Sequence, residues 1–371
     1  MKVLLVIGTR PEAIKLVPVY FALSSVPGSE VVTCMTGQHK ELVTDVLNFF
    51  DVPAHIDLGI MQPNQTITDI TVSVLRGLVP VLEQHRPDWV VVQGDTTSTF
   101  AAALASFYAR IRSAHVEAGL RTANRAHPWP EEVNRLLTSA LCDRHFPPTK
   151  RAQENLLREG HAHDSMIVTG NTVVDALILA RERIRTDATL RTRLSQSFQW
   201  INPKKRMILI TAHRRESFGQ GLAAICQAIA IIAKRHDVSL VFPVHPNPTV
   251  RSEVVSRLSH CDNVHLIEPV SYGEMIYLLE SCHLVLTDSG GIQEEAPTFG
   301  KPVLVMRETT ERVEAIEAGV ARLVTLDRDR IVAETKRLLE EPHTYATMSR
   351  AGSPFGDGHA AERIARNLAS G

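Results

Sequence analysis

Short apolar runs, rich in β-branched residues, recur along this chain, and longer stretches with helical spacing of apolar positions follow them. Val3–Ile7, Val31–Thr36, Trp89–Gln93, Ala114–Val116 and Met166–Thr169 predict five strands in the first half. Met207–Thr211, Ser239–Pro243, Val264–Ile267, Leu284–Thr287 and Pro302–Met306 predict five more in the second. A strand that is apolar at nearly every position has no face to offer water. Such strands belong to parallel sheets covered by helices on both sides. Between the two sets, Arg181–Lys205 is charged, lacks a strand pattern and is broken at Asn202-Pro203.

The two halves begin alike. Leu4-Leu5-Val6-Ile7-Gly8-Thr9-Arg10 is echoed by Ile208-Leu209-Ile210-Thr211-Ala212-His213-Arg214, a buried strand running into a basic polar tip. At 371 residues the chain exceeds the size at which one hydrophobic core usually stops growing. Pattern and length together predict an α/β protein of two doubly wound, Rossmann-like domains facing one another across a cleft.

Composition narrows the class. The chain is 44% hydrophobic and 22% charged, ordinary for a globular protein. Forty basic residues against forty-one acidic ones leave a net charge of -1, without the basic excess that nucleic-acid binding draws on. The five cysteines are widely spaced with no Cys-x-x-Cys, which predicts small core residues rather than disulfides or metal ligands. The apolar start Val3–Ile7 is too short for a signal sequence, and no run approaches the length of a membrane span. The expectation is a cytoplasmic protein with no membrane partner.

Polar and ionisable residues gather where these strands end. Arg10, Asp95, His213, His245 and Ser289 lie within a few residues of a strand's carboxyl end, and Glu117 directly follows Ala114–Val116. In open α/β sheets, ligands bind outside those ends. Gly8-Thr9-Arg10-Pro11-Glu12 turns from strand to helix, which puts Arg10 and Lys15 near a helix N-terminus suited to an anion. Asp288-Ser289-Gly290-Gly291 has the small residues that let backbone N–H groups approach a phosphate, with Glu295 about one helical turn on, where it could accept from ribose hydroxyls. Glu131 opens a helix after Pro128-Trp129-Pro130, where an acid also serves simply to complement the helix dipole. Neither a Gly-x-Gly-x-x-Gly nor a Walker loop follows a strand, so a nicotinamide or ATP cofactor lacks its phosphate cradle. His161-Ala162-His163 has no third ligand nearby, and no metal site is predicted.

These motifs, in their order, closely resemble the non-hydrolysing bacterial UDP-N-acetylglucosamine 2-epimerases. The resemblance rests on Gly8-Thr9-Arg10-Pro11-Glu12-Ala13-Ile14-Lys15, Gly94-Asp95-Thr96, His115-Val116-Glu117-Ala118-Gly119-Leu120-Arg121 and Pro130-Glu131-Glu132-x-Asn134-Arg135. It continues through Thr211-x-His213-Arg214-Arg215-Glu216, Asp288-Ser289-Gly290-Gly291-x-Gln293-Glu294-Glu295 and Arg307-x-Thr309-Thr310-Glu311-Arg312. It implies a glycosyltransferase-B-like fold, with domains at 1–172 and 173–354 and a C-terminal helix, about 355–371, crossing back to the first. It implies a cofactor-free isomerase, a homodimer, that removes UDP by anti elimination to leave 2-acetamidoglucal and then re-adds UDP with the opposite configuration at carbon 2. Asp95, Glu117, Glu131 and His213 are the catalytic set on this reading. Arg10, Lys15, Arg214, Ser289, Gly290 and Gly291 hold the diphosphate, Glu295 the ribose, and Tyr272 and, less strongly, Met275 meet the uracil. Arg135 and Arg312 support the acid cluster.

Two departures from relatives stand out. Met275 occupies a position that is Phe in many of them, so a thioether replaces a stacking ring. Asn64, where some relatives have Arg before the Gln65-Thr66 pair, weakens the expectation of a second, regulatory substrate site, although Gln38 and His245 are present. Four rivals stay open at this level. A hydrolysing epimerase shares nearly every motif, and an epimerase acting on a 2,3-diacetamido uronic acid is disfavoured by Thr9 and Glu12. A glycosyltransferase would share the fold without needing Asp95, Glu117 and Glu131. A non-catalytic sensor has no need of intact catalytic motifs.

Overall fold

In the first half, β1 (Lys2–Ile7), β2 (Glu30–Met35), β3 (Ile56–Asp57), β4 (Trp89–Gln93), β5 (Arg112–Val116) and β6 (Arg144–Phe146) form one sheet, ordered β3-β2-β1-β4-β5-β6. All its pairings are parallel, with Val3 beside Val31 on one flank and Trp89 on the other. The helices of this half are α1 (Arg10–Ser24), α2 (Lys40–Phe49), α3 (Ile67–His85), α4 (Thr97–Tyr108), α5 (Glu131–Leu141), α6 (Lys150–Arg158) and α7 (Thr172–Thr186). The structure is a computed structural model, and it describes residues 1–212, 219–350 and 353–371.

The second half opens with α8 (Ala188–Ser197) and repeats the plan. Strands β7 (Arg206–Thr211), β8 (Val238–Pro243), β9 (Val264–Ile267), β10 (Leu284–Thr287), β11 (Val303–Val305) and β12 (Ala321–Leu323) lie in the order β12-β11-β10-β7-β8-β9. Counted from β7, this is the same winding as the first sheet. Its helices are α9 (Gln220–Ile232), α10 (Pro248–Leu258), α11 (Tyr272–Ser281), α12 (Gly290–Thr298), α13 (Val313–Glu317), α14 (Arg328–Glu340) and α15 (Pro342–Met348). The last helix, α16 (Ala360–Ser370), packs on α1. The chain divides into two units, Met1–Leu179 with Phe355–Gly371, and Ala180–Pro354.

Burial explains why the strands read as continuous apolar runs. Leu4, Val6, Val90 and Val92 pack with Val74 and Leu78 of α3 and Ala101–Ala103 of α4 in the first core. Ile208, Ile210, Leu240 and Leu286 pack with Ile225 and Ile229 of α9 in the second. Both faces of the central strands are sealed, the condition that removes the alternating pattern. The winding reverses between β1 and β4, and between β7 and β10. In doubly wound sheets the crevice at such a reversal is where ligands bind. The tip echoed after β1 lies at the first of these points, and β7 ends at the second.

The strand pattern fails at the edges. Met166–Thr169 is not a strand: Met166 forms a single bridge to His145, and the sheet ends with β6. The edge strands β3, β6 and β12 escape the pattern because two or three residues are too few to carry a periodicity. Within the charged stretch Arg181–Lys205, Asp187 caps α8 by accepting from the Thr189 and Leu190 N–H groups, both at 2.9 Å. The C-terminal return is pinned by Asp175 of α7, whose Oδ1 accepts from the Ala361 N–H at 2.8 Å. Among the described residues no helix is long and apolar enough to cross a membrane.

Candidate active site

In the first unit the site is built on three turns at the carboxyl ends of β1, β4 and β5. Gly8 closes the first: a Cβ there would stand 2.6 Å from Ser98 Cβ, so only glycine lets β1 approach α4 this closely. Arg10 then begins α1, half-buried, and Lys15 lies one turn deeper on the same helix.

The β4–α4 turn carries Asp95, and it is held from every side. His115 donates from Nε2 to the Gly94 carbonyl at 2.7 Å, and Asn134 Nδ2 donates to the Asp95 carbonyl at 3.0 Å. Arg135 reaches the Asp95 carboxylate with Nη2 and Glu132 with Nη1, the latter at 3.1 Å. Glu132 is in turn fixed by the Thr122 and Ala123 N–H groups at 3.0–3.1 Å. Burial of His115 lowers its pKa to about 4, so the ring is neutral near pH 7 with its proton on Nε2.

Glu117 directly follows β5 and lies in the left-handed region, at φ 64°. That conformation costs a non-glycine residue about 1–3 kcal/mol, and such strain collects at functional sites. Its N–H is held by the Phe146 carbonyl at 3.0 Å. Its carboxylate forms a buried ion pair with Lys15 and accepts from Gln93 Nε2 at 3.1 Å. Gly119 follows at φ 88°, where a Cβ would sit 2.2 Å from the Ala152 carbonyl oxygen, so the turn admits no side chain. Glu131 is different in kind. It starts α5 half-exposed, with no hydrogen bond or ion pair among the described residues.

In the second unit, β10 leads through Asp288 to Ser289, the N-cap of α12. The Ser289 N–H donates to Thr287 Oγ1 at 2.9 Å and its carbonyl accepts from Gln293 Nε2 at 3.1 Å. Gly290 and Gly291 form the first turn, and the buried Glu295 brings Oε1 to within 3.5 Å of where a Gly291 Cβ would be. Arg312 binds not Glu295 but Glu294, Nε to Oε1 at 2.6 Å. Arg307 holds Glu311 at 3.0 and 3.2 Å. Burial raises the pKa of Glu311, but the guanidiniums of Arg307 and Arg312 outweigh it and bring it down to about 2. Tyr272 is wholly buried at the start of α11, whereas Met275 is partly exposed. A sealed ring offers no face to a base, so Met275 is the more accessible of the two.

Of the residues singled out in sequence, Lys15 meets Glu117 and Arg135 meets Asp95, while Ser289, Gly290, Gly291 and Glu295 share one helix start. His213 and Arg214, with Arg215 and Glu216, lie outside the described residues. Gln93, His115, Asn134 and Glu12 support the site without having been assigned a part in it. His115 carried two signals, its place in a family motif and an ionisable ring inside an apolar strand. Gln93, last in its strand, had no signal, because its partner Glu117 is 24 residues away.

Comparison with known proteins identifies the family and the fold. The UDP-N-acetylglucosamine 2-epimerase family profile matches residues 22–369. The UDP-N-acetylglucosamine 2-epimerase of Salmonella typhimurium is 53% identical over 371 residues, covering 100% of this chain and 99% of that protein. A crystal structure of UDP-GlcNAc 2-epimerase from Neisseria meningitidis bound to UDP-GlcNAc matches with TM-score 0.93 at 47% identity, over 100% of both chains. The Methanocaldococcus jannaschii enzyme in complex with UDP-GlcNAc and UDP matches with TM-score 0.84 at 33% identity, again over 100% of both.

Proposed function

The chain belongs to the UDP-N-acetylglucosamine 2-epimerase family, and from that premise we propose that it inverts carbon 2 of UDP-N-acetylglucosamine without hydrolysing the product. The observation that carries the reading is the set of three carboxylates, Asp95, Glu117 and Glu131, at strand and helix ends on one side of the first sheet. A glycosyltransferase has no need of them.

A carboxylate takes the proton from carbon 2, the C–H electron pair becomes the double bond to carbon 1, and the bond from carbon 1 to the UDP oxygen breaks. UDP leaves with that electron pair, and 2-acetamidoglucal remains. In the return step the UDP oxygen attacks carbon 1 and a second acid delivers a proton to the opposite face of carbon 2. Two faces require two groups in different places, which a site with several carboxylates supplies. Cations beside the departing diphosphate stabilise the charge that develops there.

Arg10, the Ser289–Gly291 turn and Arg214 are the diphosphate ligands in this reading, with His213 on the departing phosphate and Glu295 on the ribose. Met275 meets the uracil. Lys15, already paired with Glu117, serves that carboxylate first and the diphosphate through it. Arg135 does the same for Asp95, and Arg312 steadies α12 through Glu294.

The enzyme is on this reading a cytoplasmic homodimer. Exposed Val79 on α3 and Phe107 and Tyr108 at the end of α4, 51%, 59% and 71% accessible, support that face as the pairing surface. Light scattering of wild type and Phe107→Glu reads this directly, since a monomeric wild type removes the assignment.

The test of the chemistry is the proton spectrum of the nucleotide-sugar pool in heavy water. Elimination and re-addition place deuterium on carbon 2 of both epimers, and traces of UDP and 2-acetamidoglucal accumulate at long times. Free N-acetylmannosamine growing in step with UDP would instead identify a hydrolysing enzyme. Epimerised product with full hydrogen at carbon 2 would exclude solvent-exchanging elimination.

A further inference from the structure

One buried carboxyl group in the first unit is left without work by the mechanism. Glu12, on the first turn of α1, is 2% exposed. Its Oε2 accepts from the N–H groups of Gly8 and of Thr9, the latter at 3.1 Å. Its Oε1 accepts from Thr96 Oγ1 at 2.5 Å and lies 3.3 Å from Thr99 Oγ1. The first pair belongs to the β1–α1 turn that ends in Arg10. The second belongs to the β4–α4 turn, where Thr96 directly follows Asp95 and caps α4 by accepting from the Thr99 N–H at 3.1 Å. The two oxygens of one carboxyl group therefore bridge the two strands between which the sheet reverses.

An acid at this position in a helix ordinarily caps its own N-terminus. That local role accounts for Oε2 and leaves Oε1 unexplained, because its partners are 84 and 87 residues away. Burying a carboxyl group is costly, and burial raises the pKa of Glu12 against the hydrogen bonds from Thr96, Gly8 and Thr9 that lower it. A side chain with neither a carboxyl nor an amide group would avoid the cost but would lose the bridge.

We infer that Glu12 is a positioning residue for the epimerisation: its carboxyl group locks the turn carrying Asp95 to the turn carrying Arg10. It touches no reacting atom. The inference rests on the epimerase reading for the reaction that it serves, but the lock itself is a property of the fold. Glutamine can replace it in full. The amide oxygen accepts from the Gly8 and Thr9 N–H groups, and the amide nitrogen donates to the Thr96 and Thr99 hydroxyl oxygens. Thr99 keeps its own proton on the Gln93 carbonyl, 2.7 Å away.

The experiment compares Glu12→Gln, Glu12→Ala and wild type, with the same deuterium-exchange and epimerisation assays and with thermal unfolding. Displacement of an acid/base group by about 1 Å costs about 10²-fold, so Glu12→Ala loses kcat on that order, with a KM changed less than about five-fold. Glu12→Gln restores kcat to within about three-fold of wild type, and the pH profile keeps its shape. Full kcat in Glu12→Ala overturns the inference. So does a Glu12→Gln variant as inactive as Glu12→Ala at an unchanged melting temperature, because the charge or proton would then be acting chemically.

Should Glu12→Ala fail to fold, Thr96→Val read against Thr96→Ser tests the same bridge from the other turn. Valine removes the bond to Oε1 and lowers kcat about ten-fold or more, and serine restores it. Equal kcat in the two overturns the inference. The unfolding of the Glu12→Met, Thr96→Val double variant, in which neither side chain can bridge, set against the two singles, measures the lock without any assay of activity. A wild-type protein that fails to epimerise therefore sinks the functional reading alone, whereas additive stabilities sink the lock.

Discussion

Lys15 of α1 and Glu117 at the end of β5 form an ion pair whose side chains are only 10% and 7% exposed. The pair joins the helix that follows the first strand to the carboxylate whose backbone is held at positive φ. Neither charge could be buried alone. Gln93 completes the arrangement by donating to the same carboxylate oxygen.

Removing the cation should be far costlier than its distance from the core suggests. Lys15→Met leaves the Glu117 charge buried without its partner, which destabilises by about 3–5 kcal/mol. Urea unfolding measures the loss. A double change, Lys15→Met with Glu117→Gln, should recover much of it while leaving the enzyme inactive. Equal instability of single and double variants would mean that packing, not charge, sets the loss.

The three carboxylates should separate from the fold by their effect on turnover. Asp95→Asn, Glu117→Gln and Glu131→Gln each lower kcat about 10²–10⁴-fold, the usual worth of one acid/base group. Circular dichroism and UDP affinity stay close to wild type for Glu131→Gln, which breaks no bond among the described residues. Near-normal turnover in Glu131→Gln would return that residue to the helix-dipole role its position also allows.

UDP affinity should depend on Glu295 through the sugar. Hydrogen bonds to a charged group are worth about 1.5–3 kcal/mol, so Glu295→Ala weakens UDP binding about 10- to 100-fold. Titration calorimetry with 2′,3′-dideoxyuridine diphosphate supplies the control. That nucleotide should bind wild type and variant alike, and a persisting difference would place Glu295 elsewhere.

Two carboxyl groups, the buried Glu12 and the more exposed Glu311, should bend the stability curve in opposite directions. Burial holds Glu12 above its ordinary value of 4.5, so its contribution is complete below about pH 4.5 and is lost as pH rises through the folded-state value. Arg307 and Arg312 hold Glu311 at about 2, against the same ordinary value of 4.5. Its contribution is complete above pH 4.5 and is lost as pH falls toward 2. Urea midpoints between pH 3 and pH 8 should therefore converge on the acid side for wild type and Glu311→Gln. For wild type and Glu12→Gln they should drift apart above pH 4.5 in favour of the variant. Parallel curves would contradict both assignments.

Sequence alone carried the repeated plan. Central strands such as Val3–Ile7 and Leu284–Thr287 are buried on both faces, and that burial writes itself into consecutive apolar residues. The turns after them were legible for the same reason: Arg10, Asp95 and Ser289 are polar interruptions at the ends of apolar runs, and the family motifs fall on them. The edges were not legible, because β3, β6 and β12 are too short to show a period, and Met166–Thr169 has apolar residues but too little neighbouring strand to pair with.

Partnership was decided only by the tertiary structure. Lys15 reads as a cation near a helix N-terminus, but its partner is Glu117, 102 residues away, because β5 ends beside α1. Arg312 has Glu294 and Glu295 equally available in sequence, yet α12 turns the first toward it and the second toward Gly291. Glu12 reads as a helix cap, and only the adjacency of β1 and β4 gives its second oxygen a purpose. Periodicity reports which side of an element is dry, since that depends on one element at a time. Which charge meets which depends on how elements far apart in the chain are set side by side.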